Sequence, residues 1–96
     1  MAALLTNVTA NGAGTGASHS GPATVFVRGT FAGARVIVQV SADNTTYVKA
    51  DNVSLFKPTT FTAPGAVSID GKGTYYIRCV VENVSGSTSV SAVSTQ

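Results

Sequence analysis

The sequence holds one cysteine, Cys79, and one histidine, His19, and any thiol or imidazole chemistry would have to use them. A cysteine nucleophile acts as its thiolate, which needs an electropositive, partly exposed setting and usually a histidine base. Cys79 lies in the stretch GTYYIRCVVENVSGSTSVSA, Gly73 to Ala92. Strand alternation there puts Tyr75, Ile77, Cys79 and Val81 on one face and Tyr76, Arg78, Val80 and Glu82 on the other. A thiol among Tyr, Ile and Val reads as a small apolar core residue. His19 sits between Ser18 and Ser20 in a Gly/Ser-rich run, where a surface loop histidine is expected. Neighbours on an extended loop point apart, so Ser-His-Ser does not assemble a triad.

Metal and phosphate chemistry find no better footing. Zinc needs three or four ligands, and one His with one Cys is too few. The carboxylates Asp43, Asp51, Asp70 and Glu82 are spread singly, and Asx turns account for Asp43-Asn44 and Asp51-Asn52. GAGTG at residues 12–16 precedes no helix, as a phosphate loop would. The expectation is a chain that is not an enzyme, with no catalytic residue, metal or cofactor.

The elements that must position these residues are strands. Helical periodicity is missing, while alternation and β-branched residues recur between turn signals about every 8–12 residues. Strands are expected at residues 4–10, 23–31, 34–42, 46–51, 52–57, 66–70, 74–83 and 88–94. Residues 59–65 read as a connection or edge strand, because Pro64 cannot donate to a ladder. In residues 34–42, Ala34, Val36, Val38 and Val40 share one face. DNTT at 43–46 turns this strand back into a hairpin. Gly29 suggests a bulge or a close backbone approach. SGS at 85–87 reads as a second hairpin turn. The fold class is therefore all-β, an antiparallel sandwich of about seven strands.

Ninety-six residues make one domain with a thin core. Residues 1–22 are expected to form an N-terminal strand, or arm, and a flexible loop, with the sandwich over 23–96. The Gly/Ser-rich run from Asn11 to Pro22 would let the N-terminal strand, with Leu4 and Leu5, reach a neighbouring protein or pair with a free sheet edge by strand addition. Net charge is +2 with scattered basic residues, so nucleic acid is not an expected partner. No apolar run approaches the about 18 residues of a membrane span, and the N-terminus lacks a signal peptide's positive region. Four Asn-x-Ser/Thr triplets begin at Asn7, Asn44, Asn52 and Asn83, and an Asn/Ser/Thr-rich composition accounts for them without glycans.

Two resemblances add to this reading. Tyr75-x-Ile77-x-Cys79-x-Val81-x-Asn83-x-x-Gly86 resembles the F strand and F–G turn of fibronectin type III and related immunoglobulin-like domains. It implies that Tyr75 sends its hydroxyl to the connecting backbone, as in a tyrosine corner, and that Gly86 takes a positive-φ turn position. GTFAGARVIVQVSADNTTYV (29–48) together with GTYYIRCVVENVSGSTSVSA is similar to small tailed-phage virion proteins. That likeness implies a capsid decoration or cement protein, assembled in the host cytoplasm and located in the virion. Its partner would be the major capsid protein or another virion protein, with a homo-oligomer open. The alternatives are a tail or adaptor component, or an adhesive module with weak affinity for host-surface glycans. Leu4, Leu5, Tyr47, Tyr76 and Arg78 are the expected contact residues.

Overall fold

The computed structural model describes residues 2–50, 59–71 and 73–96. Ten strands form among these residues: β1 Ala2–Val8, β2 Gly12–Ala13, β3 Ala17–Ser20, β4 Ala23–Thr30 and β5 Arg35–Ser41, then β6 Val48–Lys49, β7 Thr60–Phe61, β8 Gly65–Ile69, β9 Thr74–Glu82 and β10 Ser89–Thr95. The strand expected at 52–57 and the Asn52 triplet lie outside the described residues.

The strands make two antiparallel sheets packed as a sandwich. Sheet A has the order β1-β10-β4-β8, and sheet B runs β2-β9-β5-β6, with β3 also on β9 and β7 on β5. Alternation explains the core. On β9 every second residue, Tyr75, Ile77, Cys79 and Val81, is buried, and Val36 and Val38 on β5, with Ala34 just before it, face the same interior. Sheet A answers with Val25, Val27, Val67, Ile69, Val90 and Ala92. Val40 also points inward but is only partly covered, since it lies towards the end of the sandwich beside the β5–β6 turn. Gly29, opposite Val90, has φ 121°, and a Cβ there would stand 2.2 Å from the Ser89 carbonyl oxygen. The close approach expected at this glycine is thus one strand backbone lying on another.

The structure corrects the N-terminal third. Residues 12–13 and 17–20 are not a loose loop; both pair antiparallel with β9, as in Gly12↔Val81 and His19↔Tyr75. Leu4 and Leu5, expected as contact residues, are packed inside the chain's own sandwich. β1 pairs with β10 of its own chain, and both leucines are buried. Register shifts between Ala3 and Leu5 and between Leu5 and Val8 break strict alternation, which is how two adjacent residues enter one core. The glycines expected to loosen this segment instead admit close neighbours. A Cβ on Gly14, whose N–H donates to the Cys79 carbonyl at 2.8 Å, would collide with the Leu4 carbonyl.

The last strand is also placed differently. β9 and β10 form no hairpin; they lie in different sheets. In the immunoglobulin arrangement the final strand belongs to the C–F–G sheet. Here β2 and β3 occupy the free side of β9, and β10 inserts between β1 and β4. The connection over residues 83–88 is long enough to step the about 10 Å between packed sheets. Its left-handed position is Asn83, φ 60°, and Gly86 is not among the positive-φ residues. The Thr88 N–H closes a turn on the Ser85 carbonyl at 3.2 Å, a geometry that asks for no positive φ when the turn is of type I. Asn83 is held by its side-chain amide, which donates to the Gly33 carbonyl at 2.9 Å.

Candidate functional site

Three of the five expected contact residues, Tyr47, Tyr76 and Arg78, come together on the outer face of sheet B. The β5–β6 hairpin places the first. One carboxylate oxygen of Asp43 accepts from the Thr45 and Thr46 N–H groups at 2.9 and 3.0 Å and from the Ser41 hydroxyl at 2.9 Å. Those donors hold the Asp43 carboxyl below its ordinary value, the Thr46 N–H contributing most. Asn44 then takes the left-handed position, φ 61°, as its residue type allows. The chain leaves this turn with Tyr47 folded back over the sheet.

Tyr47 is pinned at both ends. Its hydroxyl donates to the side-chain oxygen of Asn44, and the Arg78 guanidinium carbon stands 4.0 Å from its ring centroid. Gly16 makes room for it: a Cβ there would lie 2.1 Å from the phenolic oxygen. Partial burial pushes the Tyr47 hydroxyl above its usual pKa, the Arg78 charge opposes this, and Tyr76 and Asp43 add to the rise. Arg78 has a second support, because its Nε–H donates to Gln39 Oε1 at 2.8 Å.

Register explains these meetings. Gln39 is paired with Arg78 on one side and Lys49 on the other, so Lys49, Gln39 and Arg78 form one outward row across three strands. The next row toward the hairpin contains Ser41, Tyr76 and Ser18. The row on the other side holds Ile37 and Val80, both half-buried, and beyond it Arg35 meets Glu82 at 2.7 Å. Among the described residues that is the one ion pair, and neither Lys49 nor Arg78 has a carboxylate partner. Alternation alone puts Gln39 and Arg78 on outer faces. Their pairing, and the parts of Lys49 and Gly16, needed the register.

Cys79 and His19 have structural places. Cys79 is fully buried and unpaired, and burial pushes its thiol up to about 12. His19 is not on a surface loop but buried on β3, since that segment pairs with β9. Its Nδ1 is 2.8 Å from the Ala17 carbonyl, which can only accept, so in the neutral ring Nδ1 carries the hydrogen. Nε2 then accepts from the Ser94 hydroxyl at 2.5 Å, tying sheet B to sheet A. Ser94 is 1% exposed, so its hydroxyl is shut away from a substrate. Tyr75 stacks on the imidazole with ring centroids 5.9 Å apart. Its hydroxyl does reach backbone, donating to the Gly21 carbonyl at 2.6 Å, but in the β3–β4 turn and not in the connection leading into β9. Among the described residues, no three His, Cys, Asp or Glu side chains gather to hold a metal ion. No family model, curated protein or solved structure matches this chain.

Proposed function

We propose that this chain is a structural virion protein, docking on the exterior of a phage capsid as a decoration or cement protein through the outer face of sheet B. The resemblance over residues 29–48 and 73–92 supports the setting. The observation that carries the docking role is the Tyr47–Arg78 stack, fixed by Gln39 on one side and by Asn44 and Gly16 on the other. Tyr and Arg are the side chains most often responsible for binding energy at protein interfaces. Side chains already held in one arrangement lose less freedom on association, so more of their contact energy remains as affinity. The domain would then gain stability from its partner, as any fold does from a ligand that binds only the native state.

Quantitative mass spectrometry of purified source particles, with the major capsid protein as internal standard, tests this reading. A copy number comparable to the capsid protein's is expected for a decoration or cement protein. A few copies per particle would move the chain to the tail or an adaptor, and absence from particles would remove the virion reading altogether.

A further inference from the structure

The row Lys49–Gln39–Arg78 carries two cations, and among the described residues neither meets a carboxylate. Arg35, the other cation on this face, is already engaged by Glu82. The guanidinium of Arg78 is held flat by the Tyr47 ring and by a single bond from Nε, which leaves its remaining N–H donors for a partner. A guanidinium fixed in this way suits bidentate pairing with a carboxylate. Lys49 lies two strands away, about 10 Å at the usual spacing of about 4.8 Å between strands. The adjoining row, Ile37 and Val80, is apolar and half-buried, so the cationic row borders a strip that apolar side chains can cover.

We infer that the outer face of sheet B docks an acidic protein segment, with one carboxylate on Arg78, a second about 10 Å away on Lys49, and apolar side chains over Ile37 and Val80. A polypeptide fits these features better than nucleic acid, whose phosphate ladder calls for many more cations. It also fits better than an acidic saccharide, whose small C–H ring faces cover less of Ile37 and Val80 than an aliphatic side chain does. The inference rests on the docking face proposed above and adds the chemistry of the partner.

The test is a titration of the full, isotopically labelled chain, followed by amide NMR. The probe is an unstructured peptide with two glutamates three residues apart, a span of about 9 Å when extended, and leucines beside them. Shifts confined to the neighbourhood of Gln39, Tyr47, Lys49 and Arg78 are expected. They should weaken as salt shortens the screening length to about 8 Å. Arg78→Ala should reduce affinity about tenfold, and Lys49→Ala about threefold. A peptide with glutamine in place of glutamate should not bind. Equal binding of the glutamine peptide, or shifts on sheet A alone, would overturn the inference. So would oligogalacturonate binding more tightly than the peptide, since the partner would then be a saccharide. Peptide binding by a chain absent from particles would retain the acidic partner and discard the virion setting. A chain abundant on particles that ignores the peptide would do the reverse.

Discussion

The two outer faces of the sandwich use the same alternation to different effect. On sheet A, one row runs Ala3, Val93, Phe26 and Ala66 across all four strands, with Phe26 43% exposed. Its flanking rows are Thr95, Thr24 and Ser68 on one side and Ser91 with Arg28 on the other. Sheet B presents Arg35, Lys49, Arg78 and Glu82 among Tyr47, Tyr76, Ile37 and Val80. Exposed apolar side chains do not single out either sheet, since Phe26 stands on the outer face of sheet A and Val48, 60% exposed, lies on β6 of sheet B. Isolated apolar side chains on a surface are ordinary, and among the described residues no ring stacking or cation–π contact fixes Phe26. What distinguishes sheet B is that Tyr47 and Arg78 are already fixed by stacking, two hydrogen bonds and a close glycine.

Each face can be perturbed on its own, and the largest effect belongs beneath sheet A. Leu5→Ala should cost about 2–5 kcal/mol in a urea titration, because β1 supplies core to that sheet. A loss far smaller than this would mean that the N-terminal segment is the dispensable arm its composition suggests. For the same reason, removing residues 1–10 should unfold the domain and not merely detach it.

Gly29→Ala comes next, at about 3 kcal/mol, since it adds a positive-φ penalty to a collision with the β10 backbone. Its effect should appear in amide exchange across β4 and β10, leaving the Tyr47–Arg78 contact unchanged. Disturbance of both faces together would show that they are not separable. Ser94→Ala should cost about 1–2 kcal/mol by leaving His19 Nε2 without its buried donor. That loss should be shared between the sheets, as the bond joins them.

Titration should sharpen the contrast further. Cys79, with its thiol near 12 in the fold against 9.0 for an ordinary one, favours the native state fully below pH 9, and this contribution is lost as pH rises toward 12. At neutral pH the native chain should resist alkylation, and the unfolded chain should react. The smallest effect concerns the hairpin of sheet B. Asp43 titrates below its ordinary 3.8, so its support for the turn is present above that value and disappears as pH falls through the lowered one. Shifts at Thr45, Thr46 and Tyr47 should report this while sheet A remains unchanged.

Much of this was legible in the sequence. The alternation of β5 and β9, the Asp-Asn turn between β5 and β6 and the demand at Gly29 follow from residue types. Two features did not follow. Glycines at 14 and 16 suggest a loose chain by composition, whereas each sits where another group approaches too closely for a side chain. The connection after β9 suits a hairpin or a step between sheets, and only competition for the free side of β9 decides between them. The site was half visible. Tyr47, Tyr76 and Arg78 could be placed on outer surfaces, but their convergence depends on the pairing of Gln39 with both Arg78 and Lys49, which no local pattern encodes.

The two faces are told apart most directly by the attachment to particles of the Arg78→Ala and Phe26→Ser variants, each first shown to be folded. Loss of attachment with Arg78→Ala and full attachment with Phe26→Ser is the predicted result. Full attachment of Arg78→Ala with loss for Phe26→Ser would contradict the account and move the docking surface to sheet A.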